Sequence, residues 1–375
     1  MLRSLVGSEM CIRDRLYTFC GTFGFLEENS RHRIMRNRVI RLPRNAVLEV
    51  TYQCNHRCLF CSCPWYAPEG KYPKGEELDL QAWKEVVDRL YDKGVEVFSI
   101  SGGEALLKDC LPQILEYIHI QSGKRNKYPG ITLISNGRFM TNEYLRLFQR
   151  YHVNLAMSLP GYATFKDHTG VDNADGVLGW FREAKRLRLR TTVNITVTRI
   201  NYDELFETIA LGLLNGASSV LLNRFLPGGR GLLYRHKLEL SREQLNGMLD
   251  TAEEVLSYRK CYGYVGTEFP RCLIKDINKY RYLGIGTQCA AAKGFFAIDP
   301  SGQIRTCNHS PRIVGHVLEG EMITDNAYWN LFAQSDYHPA YCANCSDIGV
   351  CDCGCREVSN ILNGTPKGLD PCVAQ

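Results

Sequence analysis

Short, mostly apolar runs recur along the first two thirds of the chain, separated by stretches with a different period. The runs are "AVLEVTY" from Ala46, "VEVFSI" from Val95, "ITLIS" from Ile131, "VNLAMSL" from Val153, "TTVNITVT" from Thr191 and "SVLLNRF" from Ser219. Bounded by turn residues, such runs read as strands. Between them apolar residues return at helical spacing. The clearest case is Asp79 to Lys93, where Leu80, Trp83, Val87 and Leu90 share one face, Asp79 can cap the start and Gly94 can stop the end. Six strand–helix steps with short connections predict an α/β fold on a parallel sheet, open or curled into a partial (β/α)6 barrel. No glycine-rich phosphate fingerprint follows the first strand, which disfavours a dinucleotide fold.

After "FLPGGRGLL" the alternation stops. Residues 240–260 read as one more helix. From about Gly286 the texture changes to short strands, turns and cysteines. The expected organisation is an N-terminal extension over 1–45, the partial barrel over 46–240, a bridging region over 241–285 and a small cysteine-rich domain over 286–375. The opening "MLRSLVGSEMCIRDRL" lacks the pattern of a signal peptide. Its stretch "SLVGSEMCIRDR" is similar to translated adapter read-through, so residues 1–15 are expected to be artefact, with the natural N-terminus elsewhere.

Composition narrows the class. The chain has 375 residues, 45% of them hydrophobic and 23% charged, which suits a globular protein with a substantial core. A net charge of +5 is too weak to name nucleic acid as the partner. No run approaches the ~18 apolar residues of a membrane span. The 17 cysteines are the unusual feature. They crowd into Cys54–Cys63 and Cys342–Cys355, and such short spacing favours metal ligation over disulfides. A reducing, cytoplasmic setting is the expectation.

The first crowd is "CNHRCLFC", with Cys54, Cys58 and Cys61 at C-x3-C-x2-C directly after the first strand. A closed structural zinc site wants four ligands. Three thiolates suit a 4Fe–4S cluster that keeps one iron free for a substrate or cofactor. The loop also lies at a strand's C-terminal end, where parallel α/β folds and barrels place their active sites. One strand later, "FSISGGE" ends in Gly102, Gly103 and Glu104. The glycines allow close backbone approach, and Glu104 offers a carboxylate to an ammonium group.

With both features in view, the chain resembles the radical S-adenosylmethionine (SAM) enzymes. Cys54, Cys58 and Cys61 match that family's cluster motif, Phe60 its aromatic position, and Gly102–Gly103–Glu104 the motif that receives the methionine amino group. Asn136 in "ISNG" and Ser158 in "MSLPG" fall where the family places polar SAM contacts; Pro160 replaces an acid common among relatives. Arg224, ending the sixth strand, is open to two readings, a partner for the SAM carboxylate or a surface arginine. The resemblance implies a TIM-like partial barrel, and reductive cleavage of SAM to a 5′-deoxyadenosyl radical that takes a hydrogen from substrate. An electron donor such as flavodoxin or ferredoxin is then implied.

The C-terminal cysteines are similar to the SPASM domain: Cys289-x12-Gly302-x4-Cys307, then Cys342-x2-Cys345-x5-Cys351-x3-Cys355, then Cys372. The resemblance implies two auxiliary 4Fe–4S clusters, the first on Cys289, Cys307 and Cys355, the second on Cys342, Cys345, Cys351 and Cys372. The first lacks a fourth ligand; its position is open or filled by another residue, with Cys353 and His309 as candidates. Zinc would explain the C-x2-C pair of an interaction protein but not the three-cysteine loop followed by GGE.

SPASM-bearing relatives mostly modify peptides and proteins, so a precursor peptide or protein is the expected substrate, with a crosslink or related oxidation as product. Chemistry on a small molecule or tetrapyrrole is the alternative. Asn308 stands where sulfatase maturases carry an aspartate, which argues against that activity. Peptide maturases often have an N-terminal leader-binding domain; here that role falls to a separate protein or to missing sequence. "RHRIMRNRVIRLPRN" (Arg31–Asn45) could dock an acidic leader or RNA, though a solvated segment leading into the barrel is the plainer reading. "REAKRLRLR" (Arg182–Arg190) reads as a solvated helix face. Trp65 and Tyr66 read as packing or as channel lining, and Cys63 as a buried thiol or a substrate contact.

Overall fold

The computed structural model describes residues 41–373. The segment expected to be artefact, Cys11, Cys20 and most of the basic stretch before Asn45 lie outside the described residues. The six expected strands are present as β1 (Asn45–Glu49), β2 (Val97–Ser101), β3 (Gly130–Ser135), β4 (Val153–Ser158), β5 (Thr191–Val197) and β6 (Ser219–Arg224). They pair in sequence order and all in parallel. Two strands of three residues each, β7 (Gly263–Val265) and β8 (Leu283–Ile285), continue the parallel run beyond β6. They were missed because three residues show no period. The parallel part is therefore longer than the six steps expected from the pattern.

The sheet also grows from its other edge. β9 (Phe295–Ile298) joins β1 in parallel, and β10 (Gln303–Arg305) and β11 (Ile313–His316) follow antiparallel, in the order β11-β10-β9-β1-β2-β3-β4-β5-β6-β7-β8. The cysteine-rich region thus hydrogen-bonds directly to the first strand. Side chains strengthen that seam: buried Glu49 and Arg305 form an ion pair, and the Tyr52 and Tyr72 hydroxyls donate to Asp299 at 2.9 and 2.8 Å.

The helices α1 (Leu80–Asp92), α2 (Leu111–Lys124), α3 (Asn142–Arg150), α4 (Ala174–Arg186) and α5 (Leu205–Leu214) each separate successive strands. In α1 the Asp79 carboxylate accepts the Ala82 amide at 2.8 Å, closing one of the N–H groups that the first turn leaves open. Trp83, Val86, Val87 and Leu90 are then buried, each side chain contributing ~1.5–3 kcal/mol. The expected late helix is α6 (Arg242–Arg259), started by a capping box of Ser241 and Gln244. Two shorter helices, α7 (Asn326–Ala333) and α8 (Arg356–Asn363), pack in the last region.

In β2, β4, β5 and β6 the two faces differ. Phe98 and Ile100, Val193, Ile195 and Val197, and Leu222 are wholly buried in the apolar core. The alternate positions are small or polar and only partly buried: Ser99 and Ser101, Asn154 and Ser158, Asn194 and Thr196, and Asn223. A period of two on a sheet covered by helices on one side puts this polar row on the inner face.

Candidate active site and cysteine clusters

The loop after β1 holds Cys54, Cys58 and Cys61, all partly accessible. Its clasps come from segments that follow other strands. After β3, Asn136 Nδ2 donates to Asn55 Oδ1 at 2.7 Å and Arg138 donates to the Asn55 carbonyl at 3.3 Å. After β4, the carbonyls of Thr169 and His168 accept the amides of Arg57 and Leu59 at 2.9 and 2.8 Å. After β6, the Gly231 amide donates to the Cys61 carbonyl at 3.1 Å. Gly229, between them, has φ +49°, and a Cβ there would stand 2.4 Å from the Cys63 carbonyl oxygen. The loop shape therefore depends on backbone approach that only glycine permits.

The three thiols perturb one another. Burial pushes Cys54 up to about 11, with the charges of Glu104 and Cys61 adding to it. Burial likewise raises Cys58 well above the ordinary thiol range, with Cys61 and Cys54 adding. Cys61 is held down to about 7, first by a hydrogen bond with the Cys63 thiol. One cation, Arg230, acts on all three. Its guanidinium donates to the Cys58 carbonyl at 3.3 Å and lies 4.7 Å from the centre of the Tyr66 ring. Among the described residues no three His, Cys, Asp or Glu side chains converge tightly enough to share a single ion. In a cubane each thiolate binds a different iron, so wider spacing suits it. Three soft donors on one loop, beside one cation, fit a cluster whose iron displaces the thiol protons.

The other candidates fall around this loop. The Gly103 and Glu104 amides donate to the Thr51 and Gln53 carbonyls, both at 2.8 Å, and a Cβ on Gly103 would stand 2.1 Å from the Gln53 oxygen. The GGE turn is therefore locked against the start of the cysteine loop. Glu104 is buried, and its carboxylate accepts from Ser135 Oγ and the Asn136 amide, both at 2.7 Å, and from the Leu106 amide at 3.2 Å. It thus ties β2 to the turn after β3 rather than presenting a bare carboxylate. Phe60 sets its ring edge-on to His168, 5.7 Å between centres. His168 is itself held by Thr198 Oγ1 at 2.7 Å. Ser158 ends β4 level with Asn194 of β5. Asn194 Oδ1 accepts from Asn223 Nδ2 at 2.8 Å, so an amide pair continues the polar inner row.

Two expectations are corrected. Arg224 is neither a SAM partner nor a surface residue. It is 3% exposed and forms a two-pronged ion pair with Asp370, at 2.5 and 3.3 Å. The candidate Cys353 stands beside Cys351, its amide donating to the Cys351 sulfur at 3.3 Å, which places it with the second set of cysteines. The His309 ring is also directed elsewhere, hydrogen-bonding the Pro227 carbonyl at 3.0 Å. Trp65 is 5% exposed, packed edge-on to Tyr52, which favours the packing reading. The Cys63 thiol reaches the Gly102 carbonyl at 3.8 Å. Arg182, Lys185, Arg186, Arg188 and Arg190 are exposed, as a solvated face requires.

The C-terminal thiols separate into two groups. Cys289, Cys307 and Cys355 are buried and raise one another beyond the effect of burial. Cys342, Cys351 and Cys353 interact, and Cys272 acts on or feels Cys351, Cys342 and Cys372. Cys345 is exposed, its amide turned back to the Cys342 carbonyl at 3.0 Å. Asp370 sits between the groups, accepting the amides of Cys355 and Cys372 at 2.7 and 3.0 Å.

The pattern reading overlooked Arg230, Asn55, Asn194, Asn223 and Cys272. A signal existed for some of them: a lone arginine among glycines in "FLPGGRGLL", and single asparagines interrupting otherwise apolar strands. Nothing local marks Asn55 or Cys272, whose neighbours are distant in sequence.

Fold and site together define the class: residues 48–212 match the radical SAM superfamily, so the chain carries a radical SAM domain. It is similar to the PqqA peptide cyclase of Xanthomonas campestris pv. campestris (strain B100), 26% identical over 344 residues, covering 88% of this chain and 86% of the relative. The PqqA peptide cyclase of Gluconobacter oxydans (strain 621H) is 25% identical over 355 residues, covering 88% and 90%. Among solved structures, Streptococcus suis SuiB superposes with a TM-score of 0.66 at 16% identity, covering 89% of this chain and 78% of that one. The enzyme anSMEcpe with bound AdoMet gives 0.67 at 15% identity, covering 88% and 91%. These superpositions bear out the partial-barrel fold. No helix among the described residues is long and apolar enough to cross a membrane.

Proposed function

We propose that this chain is a radical SAM maturase that oxidatively modifies a ribosomally made peptide or protein, by a crosslink or related change. The observation that carries the reading is the cysteine loop clasped at the mouth of the parallel sheet, with three mutually perturbed thiols beside Arg230 and the GGE turn. The names of the similar proteins support the substrate class, since PqqA peptide cyclases act on a peptide and SuiB has been seen with its precursor peptide SuiA.

Cys54, Cys58 and Cys61 would hold the SAM-binding 4Fe–4S cluster. When bound, that cluster and SAM supply the 5′-deoxyadenosyl radical chemistry. The protein's own part is placement and exclusion of water. Gly102 and Gly103 bring backbone to the site, Asn136 and Ser158 offer polar groups at neighbouring strand ends, and Phe60 covers one side. Glu104 acts by fixing the turn that carries Asn136. Arg230 offsets the negative charge of the thiolates. The inner row of Asn194 and Asn223 gives a peptide backbone hydrogen-bonding partners inside the barrel.

Cys289, Cys307 and Cys355, and Cys342, Cys345, Cys351 and Cys372, would hold two auxiliary clusters able to accept the second electron of an oxidation. A flavodoxin- or ferredoxin-type donor, a separate leader-binding protein and a cytoplasmic location belong to the same reading.

The test is iron, sulfide and zinc per chain after anaerobic reconstitution, followed by reduction with SAM. About twelve irons with matching sulfide, and release of 5′-deoxyadenosine, are expected. Zinc with little iron would overturn the reading.

A further inference from the structure

The middle of the cysteine loop rests on a short helix, Phe165–Thr169, in the connection after β4. The turn leading into that helix is fixed by Glu204, whose carboxylate accepts the amides of Tyr162, Ala163 and Thr164 at 3.2, 2.8 and 3.0 Å, and the Thr164 hydroxyl. A helix leaves its last carbonyls without partners of its own. Here the carbonyls of His168 and Thr169 take the Leu59 and Arg57 amides at 2.8 and 2.9 Å. The cysteine loop is therefore the cap of this helix, and the helix is in turn anchored at its other end.

His168 adds a second grip through its side chain. It is wholly buried, with Nε2 2.7 Å from Thr198 Oγ1 and Nδ1 3.3 Å from Thr164 Oγ1. Thr198 follows β5 and is itself held. Its amide donates to Asn201 Oδ1 at 2.8 Å, and Asn201 Nδ2 donates to the Pro160 and Thr196 carbonyls at 3.0 and 2.9 Å. The imidazole is thus fastened by both nitrogens to the ends of β4 and β5. Its ring meets Phe60 with centres 5.7 Å apart and planes at 69°, the edge-to-face arrangement that aromatic pairs favour. Phe60 lies between Leu59 and Cys61. One residue therefore holds two neighbours in the loop, the Leu59 amide by its carbonyl and the Phe60 ring by its own ring. Filling the core would need only an apolar side chain. An imidazole with both nitrogens in contact fixes the ring's orientation as well.

We propose that His168 is a positioning residue for the SAM site, acting through Phe60. The inference rests on the reading above in which the cysteine loop receives SAM and Phe60 covers one side of it. His168 keeps the Phe60 ring ordered before the cofactor arrives, so that binding does not have to order it. A side chain that must be immobilised on binding lowers affinity. The contribution of His168 is then to affinity for SAM, beyond its contribution to folding.

The test uses the full chain, reconstituted anaerobically and left unreduced so that SAM is bound but not cleaved. SAM affinity is measured by equilibrium dialysis, and stability by the urea midpoint. His168→Gln keeps a polar side chain but has no ring. His168→Phe keeps a ring against Phe60 but leaves the Thr198 and Thr164 hydroxyls without it. His168→Gln is expected to bind SAM about three- to tenfold more weakly at unchanged iron content. His168→Phe is expected to unfold at lower urea yet keep the parent's SAM affinity, a separation that a merely structural histidine would not produce. In a Phe60→Leu background, His168→Gln should weaken SAM binding no further, because the effect passes through Phe60. Far-ultraviolet circular dichroism checks folding, and His168→Leu, ringless and apolar, takes the place of His168→Gln if that variant is unfolded. Parent-level affinity in the ringless variant, affinity falling in step with the urea midpoint in both variants, or additive losses with Phe60→Leu would each overturn the proposal. A parent chain that holds iron but binds no SAM would instead overturn the reading on which it rests.

Discussion

Arg224 and Asp370 provide a quantitative test of how the barrel holds the cysteine-rich region. The pair is buried, 3% and 0% exposed, and joined by two contacts at 2.5 and 3.3 Å. Replacing Arg224 with Met keeps much of the volume and leaves Asp370 charged without a counter-ion. Opposite charges at ~4 Å in an effective dielectric of ~20 attract by about 4 kcal/mol. Breaking a buried pair from one side costs ~3–5 kcal/mol, because the remaining charge stays buried. With a urea slope of about 3 kcal/mol per molar, the unfolding midpoint should fall by about 1–1.7 M. Adding Asp370→Asn removes the stranded charge and should restore about 2 kcal/mol, so that with the Asp370→Asn single variant a double-mutant cycle shows the two side chains coupled. The assay is urea unfolding of the reconstituted chain under anaerobic conditions, followed by tryptophan fluorescence and by cluster absorbance. Cluster absorbance should fall with or before the fluorescence, since Asp370 holds the amides of Cys355 and Cys372. An unchanged midpoint with weakened SAM binding would refute the reasoning and return Arg224 to the cofactor.

Other expectations follow from the same contacts. Cys58→Ala should abolish 5′-deoxyadenosine formation while about eight of about twelve irons remain, measured by iron assay and product chromatography; full-rate SAM cleavage would refute the site. Arg230→Gln should lower the reduction potential of the SAM-binding cluster, since it removes the cation that acts on all three thiols; redox titration measures it, and an unchanged potential would refute the role. Burial pushes His168 down to about 4, so the folded chain takes up this proton less readily than the unfolded one. Stability should therefore be full above the unfolded value of ~6.5 and fall as pH drops towards 4, by ~1.4 kcal/mol per pH unit. His168→Asn should flatten that slope in urea unfolding followed across the range. His309→Ala should leave iron content unchanged, because its ring is directed to the Pro227 carbonyl and not to a thiol.

The strands from Ala46 to Phe225 were legible because each carries a long apolar run, and the cap at Asp79 because capping is local. Cys54, Cys58 and Cys61 were legible as a unit because one loop supplies all three. β7 and β8 were not, since three-residue strands are stabilised by pairing with β6 rather than by their own pattern. Arg224 was misread for a related reason. Its position at a strand's end is local information, but its partner lies 146 residues away.

The division between sequence and structure follows that distinction between near and distant contacts. The sequence alone determined the class of chemistry, the parallel α/β frame and the two regions of thiols, because spacing along a chain restricts which donors can reach one cluster. Only the tertiary structure decided which groups share a space. It set Cys353 beside Cys351, placed Arg230 over the first loop, and joined Arg224 to Asp370. Such groupings depend on how strands and loops fold back on one another, and local propensity carries no record of them.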